Sequence, residues 1–145
     1  MCYGGGVSKR TDDELAKAWH ELMSRYHRVS CVLDRELQSA HGISGSEFAI
    51  IEQLAEASDR SLRMHELGEH AHVTQSALSR LVARLEADGL VNRSMCTEDR
   101  RSVFACLTPA GLELYRAARP TQREVLRTEG GSCLAAAGAA FATAR

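Results

Sequence analysis

Between Thr74 and Gly111 the chain reads TQSALSRLVARLEADGLVNRSMCTEDRRSVFACLTPAG. That order of signals admits few folds. A short amphipathic segment closes at Gly89, the residue type that ends helices in a left-handed turn. Two brief stretches of strand character, Leu90–Met95 and Val103–Leu107, flank a polar, charged connection. Thr108-Pro109 then supplies an N-cap and a first-turn proline for a new helix. Helix, stop, hairpin, helix within 38 residues is the outline of a helix-turn-helix with a β-wing, a device for gripping double-stranded DNA.

The rest of the chain is read around that segment. At 145 residues it is about one domain with room for a core. Apolar residues make up 44% and aromatics 5%, so the core is expected to be rich in Leu, Ile, Val and Ala, and the fold mainly α with a small β-wing. The formal net charge is −1, so no global positive field points to a polyanion, and any DNA-binding charge must be local. The five cysteines, Cys2, Cys31, Cys96, Cys106 and Cys133, are odd in number and form no CxxC pair, which argues against a disulfide framework or a zinc ribbon. No apolar run approaches the roughly 20 residues of a membrane span. The opening MCYGGGVSKR has no apolar core of the kind a secretory leader needs, so a cytoplasmic setting is the expectation.

From Asp12 the pattern is helical. Leu15, Trp19, Leu22, Met23, Tyr26, Val29, Leu33 and Leu37 recur at spacings of three and four until Gly42. Ser44 with Glu47 forms a capping box, with Ile43 placed as a staple for the helix carrying Phe48, Ile51, Leu54 and Ala55. Ser58-Asp59-Arg60 breaks it, Ser61-Leu62-Arg63 fits a short strand, and Met64–Ala71 fits a short helix with Met64, Leu67 and Ala71 inward. His72-Val73 is the turn and Thr74 the next N-cap. Val103, Ala105 and Leu107 are expected to alternate inward, and Pro120 to interrupt or kink the helix from Pro109. After Glu129 the signal decays into GGSCLAAAGAAFATAR, a weak helix or a disordered end. The expected organisation is an arm at 1–11, a winged-helix domain at 12–129 and an Ala/Gly-rich tail at 130–145.

On the helix from Thr74, Leu78, Leu81, Val82 and Leu85 form one face, and Gln75, Ser76, Ser79, Arg80, Ala83 and Arg84 the other. Small side chains allow close approach to a major groove, where Gln and Arg make bidentate hydrogen bonds to adenine and guanine edges. The free N–H groups of the first turn suit a phosphate. By itself this face also fits an ordinary solvated helix. At the tip of the hairpin, an arginine on a thin loop reaches a narrow minor groove, and Asp99 is placed to orient Arg100 or Arg101. Thr74 to Arg101 holds five arginines against four acids, so placement rather than total charge must do the binding.

These residues resemble the MarR (multiple antibiotic resistance regulator) family. The resemblance is carried by SALSRLVARLEADGLVNR and EDRRSVFACLTPAG: Leu85-Glu86, Gly89 to Arg93, Asp99 to Arg101 and Leu107 to Gly111. It implies a winged helix-turn-helix with N- and C-terminal dimerisation helices, here 12–42 and 109–129, around a DNA-binding lobe at 43–108. It implies a homodimeric transcriptional regulator, modulated by a small molecule and bound to a pseudo-palindromic operator. Thr74, Gln75, Ser76, Ser79, Arg80 and Arg84 would meet the major groove, with Asp99, Arg100 and Arg101 at the wing and Arg101 in the minor groove. The Ala-rich tail departs from the apolar last helix of such proteins, which either weakens dimerisation or moves its weight onto 12–40 and 109–128.

The resemblance also implies a pocket for a small phenolic or anionic effector near the first two helices. Trp19, Met23, His27 and Phe48 are the candidates, with Arg63 as anion partner; Trp19, Met23 and Phe48 fit plain core as well. A redox sensor at Cys31, beside Tyr26 and His27, is an alternative reading that needs an electropositive, accessible thiol. A metal sensor at His65, Glu69, His70 and His72 lacks a second ligand cluster, so no metal site and no cofactor are expected. A winged-helix protein-interaction module without a DNA role stays open on the near-neutral charge. An enzyme is not expected: the chain shows no nucleophile–base pair and no phosphate-cradling glycine loop.

Overall fold

The computed structural model describes residues 11–95, 98, 101–131, 133, 135 and 138. Its elements are α1 (Asp12–His41), α2 (Gly45–Glu56), β1 (Ser61–Arg63), α3 (Met64–His70), α4 (Gln75–Ala87), β2 (Val91–Met95), β3 (Val103–Leu107), α5 (Pro109–Val125) and a π turn at Leu126–Gly130. Helices thus dominate, with one small sheet.

Local chemistry explains where each helix starts and stops. Thr11 and Glu14 form a reciprocal capping box on α1, and Gly42, in the left-handed conformation, ends it. Ser44 and Glu47 do the same for α2, with Ile43 and Phe48 both buried where a hydrophobic staple requires them. Thr74 caps α4 through the Ala77 N–H. At the far end of α4, Gly89 N–H bonds Glu86 O and Leu90 N–H bonds Leu85 O. That is a Schellman pair, with Gly89 at φ 75° supplying the left-handed residue. Thr108 caps α5, with Pro109 in the first turn.

The interruption expected of α5 at Pro120 does not occur. The helix runs through Pro120 to Val125 and passes into the π turn. Pro120 removes the donor that would pair with the Arg116 carbonyl, and both residues are exposed, so water can satisfy that carbonyl. The tail is helical at Gly131, Cys133, Ala135 and Gly138.

The sheet is antiparallel in the order β1-β3-β2, with Leu62 opposite Ala105 and Arg93 opposite Ala105. Ala105 is fully buried under the helices; Val103 and Leu107, on the same face, are half-buried. The core gathers Leu37, Phe48, Ile50, Ile51, Leu54, Leu67, Leu78, Val82, Leu85 and Val91, all at most 1% exposed. Each such side chain contributes about 1.5–3 kcal/mol through burial. Phe48 stacks on Tyr115 of α5 at 5.9 Å. The α5 N-terminus sits so close to the hairpin that a Cβ on Gly111 would collide with the Leu90 carbonyl. His41–Thr121 (2.8 Å) ties α1 to α5, and Arg123–Glu52 (2.8 Å) ties α2 to α5.

Candidate nucleic-acid interface

The apolar face of α4 is fixed in the core: Leu78, Val82 and Leu85 are fully buried and Leu81 is half-buried. Helical periodicity then forces Gln75, Ser76, Ser79, Arg80, Ala83 and Arg84 outward, and all six are exposed. The face predicted from sequence is therefore presented as one surface. Its members are not equally available. The Thr74 hydroxyl accepts the Ala77 N–H at 3.3 Å, so its main work is capping. The Gln75 amide donates to the His65 carbonyl at 3.4 Å, tying α4 to α3. Arg84 lies 3.5 Å from the Glu47 carboxylate. The Arg80 side chain has no hydrogen-bonding or ionic partner among the described residues and stands exposed.

A cleft of about 480 Å³ opens between α4, the start of α3 and the loop half of the hairpin. Among the described residues, its lining brings together Arg63, Arg93 and Arg101 with Gln75 and Ser79, and Glu66 is the one acidic residue there. A chain of near-zero net charge thus concentrates three guanidinium groups at one edge of the recognition face. Asp99 and Arg100, assigned to the wing from sequence, lie outside the described residues, as do Cys2 and Cys96.

Arg93 did not emerge from the sequence as a site residue, although it closes the Gly-Leu-Val-x-Arg pattern. Its N–H donates to Glu86 at 2.9 Å and its guanidinium to the Ser79 carbonyl at 3.3 Å. The wing is thereby pinned to the middle of α4. A basic patch also needs Arg63, which sequence reasoning placed beside an effector. Its guanidinium stacks on Phe104 of β3, 5.6 Å from the ring centroid.

The predicted effector residues are not brought into one cavity. Phe48 is core, 1% exposed, against Tyr115. Arg63 belongs to the cleft. Trp19 and Met23 do not behave as plain core: they are 57% and 37% exposed on α1, with His27 one turn further, also exposed. The N-terminal apolar stripe of this 30-residue helix finds no full cover among the described residues. Cys31 is exposed, with its sulfur 3.6 Å from His27 Nε2. His65 and Glu69 pair at 3.4 Å on the surface, and no group of three metal-ligating side chains occurs among the described residues. No helix among those residues is long and apolar enough to cross a membrane.

Comparisons with known proteins agree with this geometry. The MarR family model matches residues 41–102. A MarR family transcriptional regulator from Streptomyces coelicolor, solved in complex with DNA, is 35% identical, with 83% of this chain and 76% of that one covered at a TM-score of 0.76. NadR, solved in complex with 4-hydroxyphenylacetate, is 27% identical, with 83% and 79% covered at a TM-score of 0.57. The homoprotocatechuate degradative operon repressor of Escherichia coli is 30% identical over 93 residues, 64% of this chain and 62% of that protein's length. The fold, the capped recognition helix and these likenesses together show that the chain belongs to the MarR family.

Proposed function

We propose that this protein is a homodimeric, sequence-specific DNA-binding repressor that works in the cytoplasm on a pseudo-palindromic operator. The observation that carries the reading is the exposed polar face of α4 flanked by the three-arginine cleft. Ser79, Arg80 and Arg84 are the major-groove readers. Arg63, Arg93 and Arg101 hold backbone or minor-groove positions, since such contacts fix register while base contacts specify. The relative solved on DNA supports the same use of this fold. Two copies would set their α4 helices about 34 Å or a multiple apart along the duplex.

Dimerisation is assigned to the exposed stripe Leu15, Trp19, Met23 and Tyr26 of α1, with α5 and the residues after it as the partner surface. An isolated domain gains nothing by leaving such a stripe in water. A small phenolic acid is proposed as effector. Support comes from two relatives named for aromatic acids, the homoprotocatechuate operon repressor and the 4-hydroxyphenylacetate complex.

Gel shifts with fragments from upstream of the protein's own gene, repeated across salt concentrations, test the reading. The expected result is a preferred fragment whose affinity falls steeply with salt, with a slope set by the phosphates neutralised. Equal, weak retention of all fragments would count against it. Trp19, the chain's one tryptophan, reports effector binding by its emission when 4-hydroxyphenylacetate is titrated in.

A further inference from the structure

We propose that Glu47 is a positioning residue that orients Arg84 on the recognition face and links that face to the corner between α1 and α2. The inference rests on the DNA-reading role proposed above. Glu47 is a carboxylate only 4% exposed. A buried carboxylate is stable only where its oxygens have partners. Oε2 accepts the Ser44 N–H at 2.8 Å, and Oε1 faces Arg84 Nε at 3.5 Å. The cap alone does not require a charge, because a glutamine oxygen serves a capping box equally well. Arg84 gives the charge its second role.

The pair is asymmetric. The Glu47 side chain is 5% exposed and that of Arg84 is 71% exposed. The buried end is held by the core and the cap, so it acts as the fixed point. The exposed end is an arginine approached through Nε, which leaves its terminal nitrogens to the groove it shares with Arg80, Ser44 and Ser46. A long side chain held at one point loses fewer conformers when it meets a base edge. The same corner is fastened to α1, because the Gly45 N–H donates to Asp34 Oδ1 at 2.5 Å. Polar contacts therefore run from Asp34 on α1, through Gly45, Ser44 and Glu47, to Arg84 on α4.

The consequence is a selective one. Without the carboxylate, Arg84 becomes a mobile cation that still attracts phosphate but no longer meets one base in one geometry. The experiment uses full-length protein and two fluorescent duplexes: one enriched by the wild-type chain from a random-sequence library, and a scrambled version of it. Glu47→Gln is expected to lower the ratio of the two affinities roughly tenfold, the scale of one arginine–base contact, without weakening binding to the scrambled duplex. In an Arg84→Ala background the same substitution should leave the ratio unchanged, since its target is gone. Ser44→Ala, which loosens the cap while keeping the ion pair, should lower both affinities alike and gives the signature of a merely structural change. A Glu47→Gln variant that loses both affinities equally, or whose effect persists beside Arg84→Ala, overturns the inference and leaves the DNA reading standing. Failure of the wild-type chain to enrich any sequence overturns the DNA reading, and this inference with it.

Discussion

α4 and the N-terminal half of α1 are both amphipathic, yet they stand differently in the structure. α4 buries Leu78, Val82 and Leu85 completely and turns small polar and basic groups to solvent. α1 keeps only Leu37 fully buried and leaves Leu15, Trp19, Met23 and Tyr26 between 37% and 61% exposed. The first stripe is satisfied by its own chain, so its opposite face is free to be a reading surface. The second has no full cover among the described residues, so the stripe itself is what we assign as a contact surface. Periodicity alone does not separate the two cases; what separates them is whether a partner element lies within reach.

Substitutions on each stripe should break this contrast if it is wrong. Leu78→Ala removes a fully buried side chain and should cost about 2–5 kcal/mol in urea unfolding. Trp19→Ser with Met23→Ser should leave the fold of each subunit intact while raising the dimer dissociation constant at least roughly tenfold in sedimentation, the effect of losing some of the 1.5–3 kcal/mol per covered side chain. An unchanged dimer would show that this stripe is not the contact. Thr74→Ala should lower stability by about 1 kcal/mol because its hydroxyl caps α4. Thr74→Ser should restore both stability and DNA affinity if capping is the role of this hydroxyl.

The smallest effect concerns Tyr115. Burial, with Glu56 and Glu52 adding to it and Arg119 and Arg123 opposing, raises its phenol above the ordinary 10.0. A raised folded value favours the neutral phenol in the native state. Its stability contribution is then complete below pH 10 and lost as pH climbs through the folded value. Urea midpoints of wild type should fall more steeply above pH 10 than those of Tyr115→Phe.

Much of the fold was legible because helix ends are local chemistry. Ser44 with Glu47, Thr74, Gly89 and Thr108-Pro109 each announce a boundary within four residues, and each stands where the spacing put it. The outward set on α4 followed from its period. What local pattern did not convey was long-range placement. Arg63 reaches the wing because β1 pairs with β3, setting Arg63 opposite Phe104 across a wide sequence gap. Arg93 turns inward to Ser79 because it lies opposite buried Ala105. The exposure of Trp19 depends on which elements reach the N-terminal half of α1, and the passage of α5 through Pro120 depends on which face of the helix meets water.

The central claim is that the polar face of α4 reads base edges, and Arg80 tests it most directly. Anisotropy titrations of wild type and Arg80→Ala on the enriched duplex should differ by roughly 1–3 kcal/mol. Urea midpoints should coincide, because the side chain is exposed and supports nothing in the fold. Equal affinity of the two proteins for that duplex would contradict the account.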